Sequence, residues 1–364
     1  MQATVKTRMD RVQMLRGVVF LTIFVFHCNV PFSNILWGGI ECFFLLSSFF
    51  LTRKLWRAEK ISVKSQFWHR IQRLSLPYIC VLVLAALRSI LFRENLYDFI
   101  PHLVFGQNFL WMVTRYTSSM QPLTAHLWTM SIEVWMGFLW LVLLKVLPKP
   151  AWRKAMYACL ACSVALRTWL IFIDYDTLVL SLSPLSHMDA FAVGSLLAIQ
   201  LEEDSQKKVL TTSWIAGVLG VLGIVVSWLC LMKAHNLSLL NAYRSLNNSD
   251  RYLANLVAGN LYLYFALVFY WLIAGVGLKD IYGKAASANW LGRVLKYLGD
   301  TSYVMYLFHW PILWFLKLIW SKLPWNEIKP WPMLLIVGIL LTVVATFIFE
   351  RYIAPLFKKL KGGK

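Results

Sequence analysis

Arg16 and His27 stand eleven residues apart inside a single apolar run, and their types and spacing are suited to chemistry. Eleven helical steps come within roughly 20° of a whole number of turns, and a rise of about 1.5 Å per residue puts the two side chains about 16 Å apart on one face. A guanidinium fork matches phosphate or carboxylate oxygens, and imidazole exchanges a proton near neutral pH. The pair therefore suits an anion held at one end of a helix and a reaction at the other. It equally suits a basic topology anchor followed by a hydrogen-bonded residue between helices.

Other ionisable residues follow at helical spacing. In the segment from His126 through Trp128 and Thr129 to Glu133, the histidine and the carboxylate are seven apart, so a helix faces them the same way about 10 Å from each other. That carboxylate can orient an imidazole or accept a proton, or simply face outer water at a helix entry. Tyr306, His309 and Pro311 place a further imidazole just before a proline that must open the backbone ladder. Asp189 and Glu350 complete the acidic set, and Glu350 beside Arg351 reads as an interfacial ion pair. Arg70 and Arg73 share a helical face ahead of Pro77, where topology signal and phosphate binding explain them equally well.

These groups must be positioned by a membrane. Of the 364 residues, 59% are hydrophobic and 15% charged, and the mean hydropathy is +0.61. A soluble chain is about a quarter charged. Ten apolar runs near the length needed to cross about 30 Å of hydrocarbon are predicted as helices: 15–31, 36–52, 75–92, 124–147, 154–173, 188–201, 212–232, 254–278, 298–320 and 332–350. The expected architecture is all-α, a polytopic bundle. The run 188–201 is short for a span, and 15–31 has a basic flank but no small-residue cleavage site, so it reads as a retained helix.

The net charge of +19 lies in short clusters between the runs, which argues for topology rather than nucleic-acid binding. With the first flank cytoplasmic, 25 Lys and Arg fall inside and seven outside, so both termini are predicted to be cytoplasmic. No segment between runs is large enough for its own core, so residues 1–364 read as one membrane-embedded domain with no separate soluble one. All six cysteines lie in apolar runs, which argues against a disulfide framework. Cys159 and Cys162, though spaced CxxC, read as core packing rather than a redox or zinc site, and no metal site is expected. Asn236-Leu237-Ser238 and Asn247-Asn248-Ser249 match a glycosylation pattern in one outer loop.

Taken together, these motifs resemble the acyltransferase 3 family of integral membrane acyltransferases, the group that includes polysaccharide and O-antigen O-acetyltransferases. The resemblance runs nearly end to end. It comprises the arginine, ten residues and histidine of Arg16 to His27; Phe43-Phe44-Leu45-Leu46-Ser47-Ser48-Phe49; Arg70, Arg73 and Pro77; and His126, Trp128, Thr129 and Glu133. It continues through Asp189, Phe191 and Gly194; Ser302, Tyr303, Tyr306, His309 and Pro311; and Glu350 with Pro355. Two positions depart from the pattern: Ser48 replaces a glycine, and His187 stands where an arginine is common.

The resemblance implies transfer of an acyl group, most often acetyl, from cytoplasmic acyl-CoA to a hydroxyl of a cell-surface polysaccharide, oligosaccharide or glycolipid. The location it implies is the plasma membrane, the bacterial inner membrane. Carried onto this chain, it makes His27, Glu133 and His309 the catalytic residues and assigns the CoA phosphates to Arg16, Arg70 and Arg73. His126, Trp128, Asp189 and Tyr306 become the substrate contacts. The expected partners are acyl-CoA, the glycan acceptor and the lipid bilayer. A secondary transporter or flippase using the same Arg, His and Glu as a proton relay is the competing expectation, although no paired internal repeat is visible.

Overall fold

The computed structural model describes residues 9–114, 122–173, 177–245, 258–283 and 289–357. Among them are ten helices of 16 residues or more: α1 (Asp10–His27), α2 (Gly39–Trp56), α3 (Val63–Leu91), α4 (Trp128–Val146), α5 (Lys149–Phe172), α6 (Met188–Glu203), α7 (Gln206–Ala234), α8 (Leu261–Tyr282), α9 (Trp290–Trp320) and α10 (Trp331–Ile348). Each apolar run read from the sequence falls on one of them. Residues 254–257 of the eighth run, the pattern Asn247-Asn248-Ser249 and several of the counted cations lie outside the described residues.

Helix starts move outward where a polar cap extends the helix beyond its apolar part. Ser62 caps α3 by accepting from the Ser65 amide, and Asn289 caps α9 by accepting from the Gly292 amide at 2.8 Å. Both helices therefore begin well before their apolar runs and carry amphipathic first turns.

Eight of these ten described helices are long and apolar enough to cross a membrane. The other two differ for distinct reasons. α1 carries Asp10, Arg11 and Arg16 within its 18 residues. α6 has only 16 residues, and its stretch from Asp189 to Leu201 is buried all round, packed among α2, α5 and α8. A helix apolar on every side belongs at the centre, which accounts for the short run 188–201. At the periphery the pattern inverts: α7 exposes Ile215, Val218, Leu222 and Val226, and α10 exposes Ile336, Leu340, Val344 and Phe347. Apolar surface on this scale requires lipid around it. The protein is an all-α polytopic membrane bundle.

The packing that matters most for the site is α1 on α9. A Cβ on Gly17 would lie 2.2 Å from the Leu295 carbonyl oxygen, and one on Gly299 would lie 1.8 Å from that of Gln13. The two backbones touch here because neither residue has a side chain. That contact sets the register that brings Arg16 to Ser302 near one end and His27 to His309 near the other.

Candidate active site

Three histidines from separate parts of the chain meet in the bundle. His27, on the last turn of α1, places Nδ1 2.9 Å from Nε2 of His309 on α9, with ring centroids 5.0 Å apart. His309 Nδ1 donates to the Tyr306 carbonyl. A carbonyl can only accept, so with both rings neutral His309 presents Nε2 as an acceptor and His27 donates from Nδ1. Nε2 of His27 is then left with its lone pair. Phe20 and Phe24 close around His309, Trp310 lies edge-on to His27 at 5.0 Å, and Lys317 Nζ donates to the His27 carbonyl at 3.3 Å.

The third imidazole is placed by a proline. Pro311 has no amide hydrogen, so the Leu307 carbonyl four residues earlier loses its helical donor. His126 supplies the replacement: its Nε2 donates to Leu307 O at 3.0 Å. The helix runs unbroken from Trp290 to Trp320, and the opened ladder receives a side chain instead of lining a cavity. Tyr306 lies between His126 and His309, with centroids 5.6 and 5.2 Å away, and its hydroxyl donates to the His126 carbonyl while Thr129 Oγ1 lies 3.1 Å from it.

Thr129 and Tyr306 also form the inner end of a cavity of about 1270 Å³. Its cationic lining is Arg16, Lys54, Arg70 and Arg73, with His69 beside them, against Glu133, Asp300 and Glu350. Arg16 donates to Ser302 Oγ at 2.9 Å and to Gln13, and sits over the Phe43 ring. Arg70 is tied by one nitrogen to the Glu133 carboxylate at 2.6 Å, the Glu133 carbonyl and Ser47 Oγ, in space that Gly137 leaves open by lacking a Cβ. The buried Nε atoms of both Arg16 and Arg70 have no hydrogen-bond partner. Arg73 is exposed in the cavity wall.

The structure thus gathers His27, His126 and His309 with Tyr306, and Tyr306 in turn lines the cavity that Arg16, Arg70, Arg73 and Glu133 also line. Glu133 engages a guanidinium rather than an imidazole, because His126 falls in the single turn Ala125–Leu127 ahead of α4 and not on its helical face. A buried cluster of imidazoles is chemically able to take up or hand on a proton at a desolvated atom.

Comparison with known proteins names the frame. A sequence model of the acyltransferase 3 family, described as an acyltransferase domain, matches residues 9–351. The chain belongs to the acyltransferase 3 family. It is similar to O-acetyltransferase OatA of Staphylococcus aureus strain NCTC 8325 / PS 47, 24% identical over 375 residues that cover 96% of this chain and 57% of the relative. OatA from strains COL and MRSA252 matches to the same extent. The chain thus spans little more than half the length of these relatives. No solved structure matches it.

The two departures from the acyltransferase 3 motifs have local explanations. Ser48 is buried, donates to the Leu45 carbonyl at 2.9 Å, and packs where α2 crosses α6 at Gly194. His187 occupies the place of the common arginine, and a guanidinium arrives instead from the neighbouring helix: Arg167 on α5 pairs with Asp189 at 2.6 Å, both fully buried. His187 bonds Glu41 Oε1 at 2.8 Å and the Ser181 carbonyl at 3.0 Å. Trp128 packs between Phe44 and His187, so Trp128 and Asp189 belong to this second polar cluster and not to the imidazole group. Glu41, Arg167 and Lys317 were not singled out by motif spacing. Each is an ionisable residue within an apolar run, and that alone marks a residue for attention.

Proposed function

We propose that this acyltransferase 3 chain is an integral membrane O-acyltransferase that moves an acyl group, acetyl first, from acyl-CoA in the large cavity to a hydroxyl of a cell-surface glycan or glycolipid. The supporting observation is that α1 carries Arg16 in the wall of the cationic cavity and His27, about 16 Å further along, beside His309. The fit to CoA is chemical. A chain of phosphates needs several fixed cations, and Arg16, Lys54, Arg70 and Arg73 converge, two of them with a buried donor still unpaired. On this reading the cationic face lies in the cytoplasm, which the positive-inside bias of the sequence supports, and the protein lies in the plasma membrane, which membership of the acyltransferase 3 family supports.

In the reaction, His27 Nε2 takes the proton of the acceptor hydroxyl as its oxygen forms a bond to the thioester carbonyl carbon. The carbon–sulfur bond then breaks, and the leaving sulfur takes that proton to give CoA–SH. His309 holds His27 in the tautomer with Nε2 free. Tyr306 and Thr129 define the cavity end past which the acyl group must reach.

The test is acyl transfer in proteoliposomes with radiolabelled acetyl-CoA on the cytoplasmic side, comparing wild type with Arg16→Ala and His27→Ala. CoA release in wild type alone is the expected result, with label on the acceptor. Label retained on the protein would instead mean that His27 carries the acyl group transiently. Wild-type transfer by His27→Ala would overturn the role given to it.

A further inference from the structure

Beyond His27, on the face away from the cationic cavity, lies a second cavity of about 380 Å³, lined by Phe26, Asn29, Phe32, Asn34, Arg244 and Lys329 among others. Because α1 has Gln13 and Arg16 in the wall of the first cavity and Phe26 in the wall of the second, the two open toward opposite ends of this helix. The His27 ring is 5.1 Å from that of Phe26, so the second cavity adjoins the imidazole pair.

The loop that shapes it is held against intrinsic preference. Asn29 and Phe32 both adopt left-handed backbone (φ 56° and 62°), unfavourable for the bulky Phe32. Tyr243 Oη donates to the Phe32 carbonyl at 2.6 Å, and Asn34 Nδ2 donates to the Arg244 carbonyl at 3.2 Å, which ties the loop to the short helix Leu239–Ser245. Phe32 is left 67% exposed. The Lys329 segment is fixed by Trp320 Nε1 donating to the Ile328 carbonyl at 2.9 Å. Arg244 of the short helix and Lys329 of the segment before α10 thus line one cavity with an exposed aromatic ring, and the described lining contains no carboxylate.

On this geometry, and resting on the acyltransferase reading above, we propose that the second cavity is an acceptor subsite for an anionic sugar. The ring's apolar face would lie on Phe32, and its carboxylate or phosphate would lie between Arg244 and Lys329. A volume near 400 Å³ suits one or two sugar rings. Guanidinium and ammonium bind either anion, so the chemistry is shared by uronates and sugar phosphates.

The test is equilibrium binding by ligand-observed NMR, with the full chain in phosphatidylcholine nanodiscs. The probes are digalacturonate, mannose 6-phosphate and maltose, and no acyl donor is present. Wild type should bind one or both anionic sugars at least tenfold more tightly than maltose, with the difference shrinking as salt is raised. Arg244→Gln combined with Lys329→Gln should abolish that preference, Arg244→Lys should keep most of it, and Phe32→Ala should weaken all three sugars. The digalacturonate and mannose 6-phosphate arms tell which anion is preferred. Equal binding of charged and neutral sugars, anion preference that survives the double substitution, or no sugar binding by folded protein would each overturn the proposal. Since this readout needs no acyl transfer, its failure is separable from failure of CoA turnover in proteoliposomes.

Discussion

Nδ1 of His27 and Nε2 of His309 lie 2.9 Å apart across the α1–α9 contact, joining residues 282 positions apart in the chain. His309 is itself oriented by the Tyr306 carbonyl, so the pair forms a directed chain from backbone to ring to ring. His309→Ala should leave His27 present but free to adopt the other tautomer. We expect kcat for acetyl transfer to fall about 100-fold with donor KM little changed, whereas His27→Ala should lose about 10³-fold or more. Steady-state CoA release across donor concentrations separates the two effects.

Pro311 should be dispensable for folding and needed for activity. Pro311→Ala returns an amide donor to the Leu307 carbonyl, which then competes with His126 Nε2. The expected outcome is an unchanged or raised Tm in detergent with acyl transfer reduced about tenfold. Wild-type activity in this variant would show that the His126 contact is not needed.

Arg70 and Glu133 form a pair whose halves are not equivalent to remove. Glu133→Ala leaves a buried guanidinium without its carboxylate and should cost on the order of 3 kcal/mol of stability. The combined change Arg70→Met with Glu133→Leu should recover most of that stability while losing donor binding. Thermal unfolding with and without acetyl-CoA measures both.

The α1–α9 contact tolerates no methyl group. Gly299→Ala places a Cβ within 1.8 Å of the Gln13 carbonyl oxygen and forces the helices apart. Overpacking of this kind costs about 1–3 kcal/mol, and the separation should also break the His27–His309 bond and abolish transfer. A folded, fully active Gly299→Ala protein would argue against this contact as the origin of the register.

His102, in the short helix Ile100–Leu103 outside the spanning helices, is fully buried, and burial lowers its pKa to about 4. The unfolded chain takes up a proton near pH 6.5, so the unfolded state binds more protons below that value. Stability should therefore be unaffected above about pH 6.5 and should fall as pH drops toward 4, by up to about 3 kcal/mol. Thermal melts from pH 7.5 to 4.5 should show this loss, reduced in His102→Gln.

Much of this molecule was legible in the sequence. Apolar runs located the ten described helices of 16 residues or more, but hydrocarbon thickness accounts for the length of only eight, since α1 carries three charges and α6 is short and buried all round. The arginine-to-histidine spacing on α1 was likewise readable, because a helix converts sequence separation into distance by a fixed rule. Helix starts were less legible, because caps such as Ser62 and Asn289 extend helices into polar sequence that hydropathy does not see.

What only the tertiary structure decided is which charges meet. Spacing suggested Glu133 for an imidazole, yet it holds Arg70, a residue of another helix. Asp189 draws its guanidinium from Arg167 on α5, which no local motif encodes. The imidazole pair depends on two glycines, Gly17 and Gly299, whose close approach is a property of two surfaces fitted together. Local spacing fixes distances along one helix. Contacts between helices arise from packing, in which residues far apart in the chain must fill the same space without clash and satisfy every buried polar group.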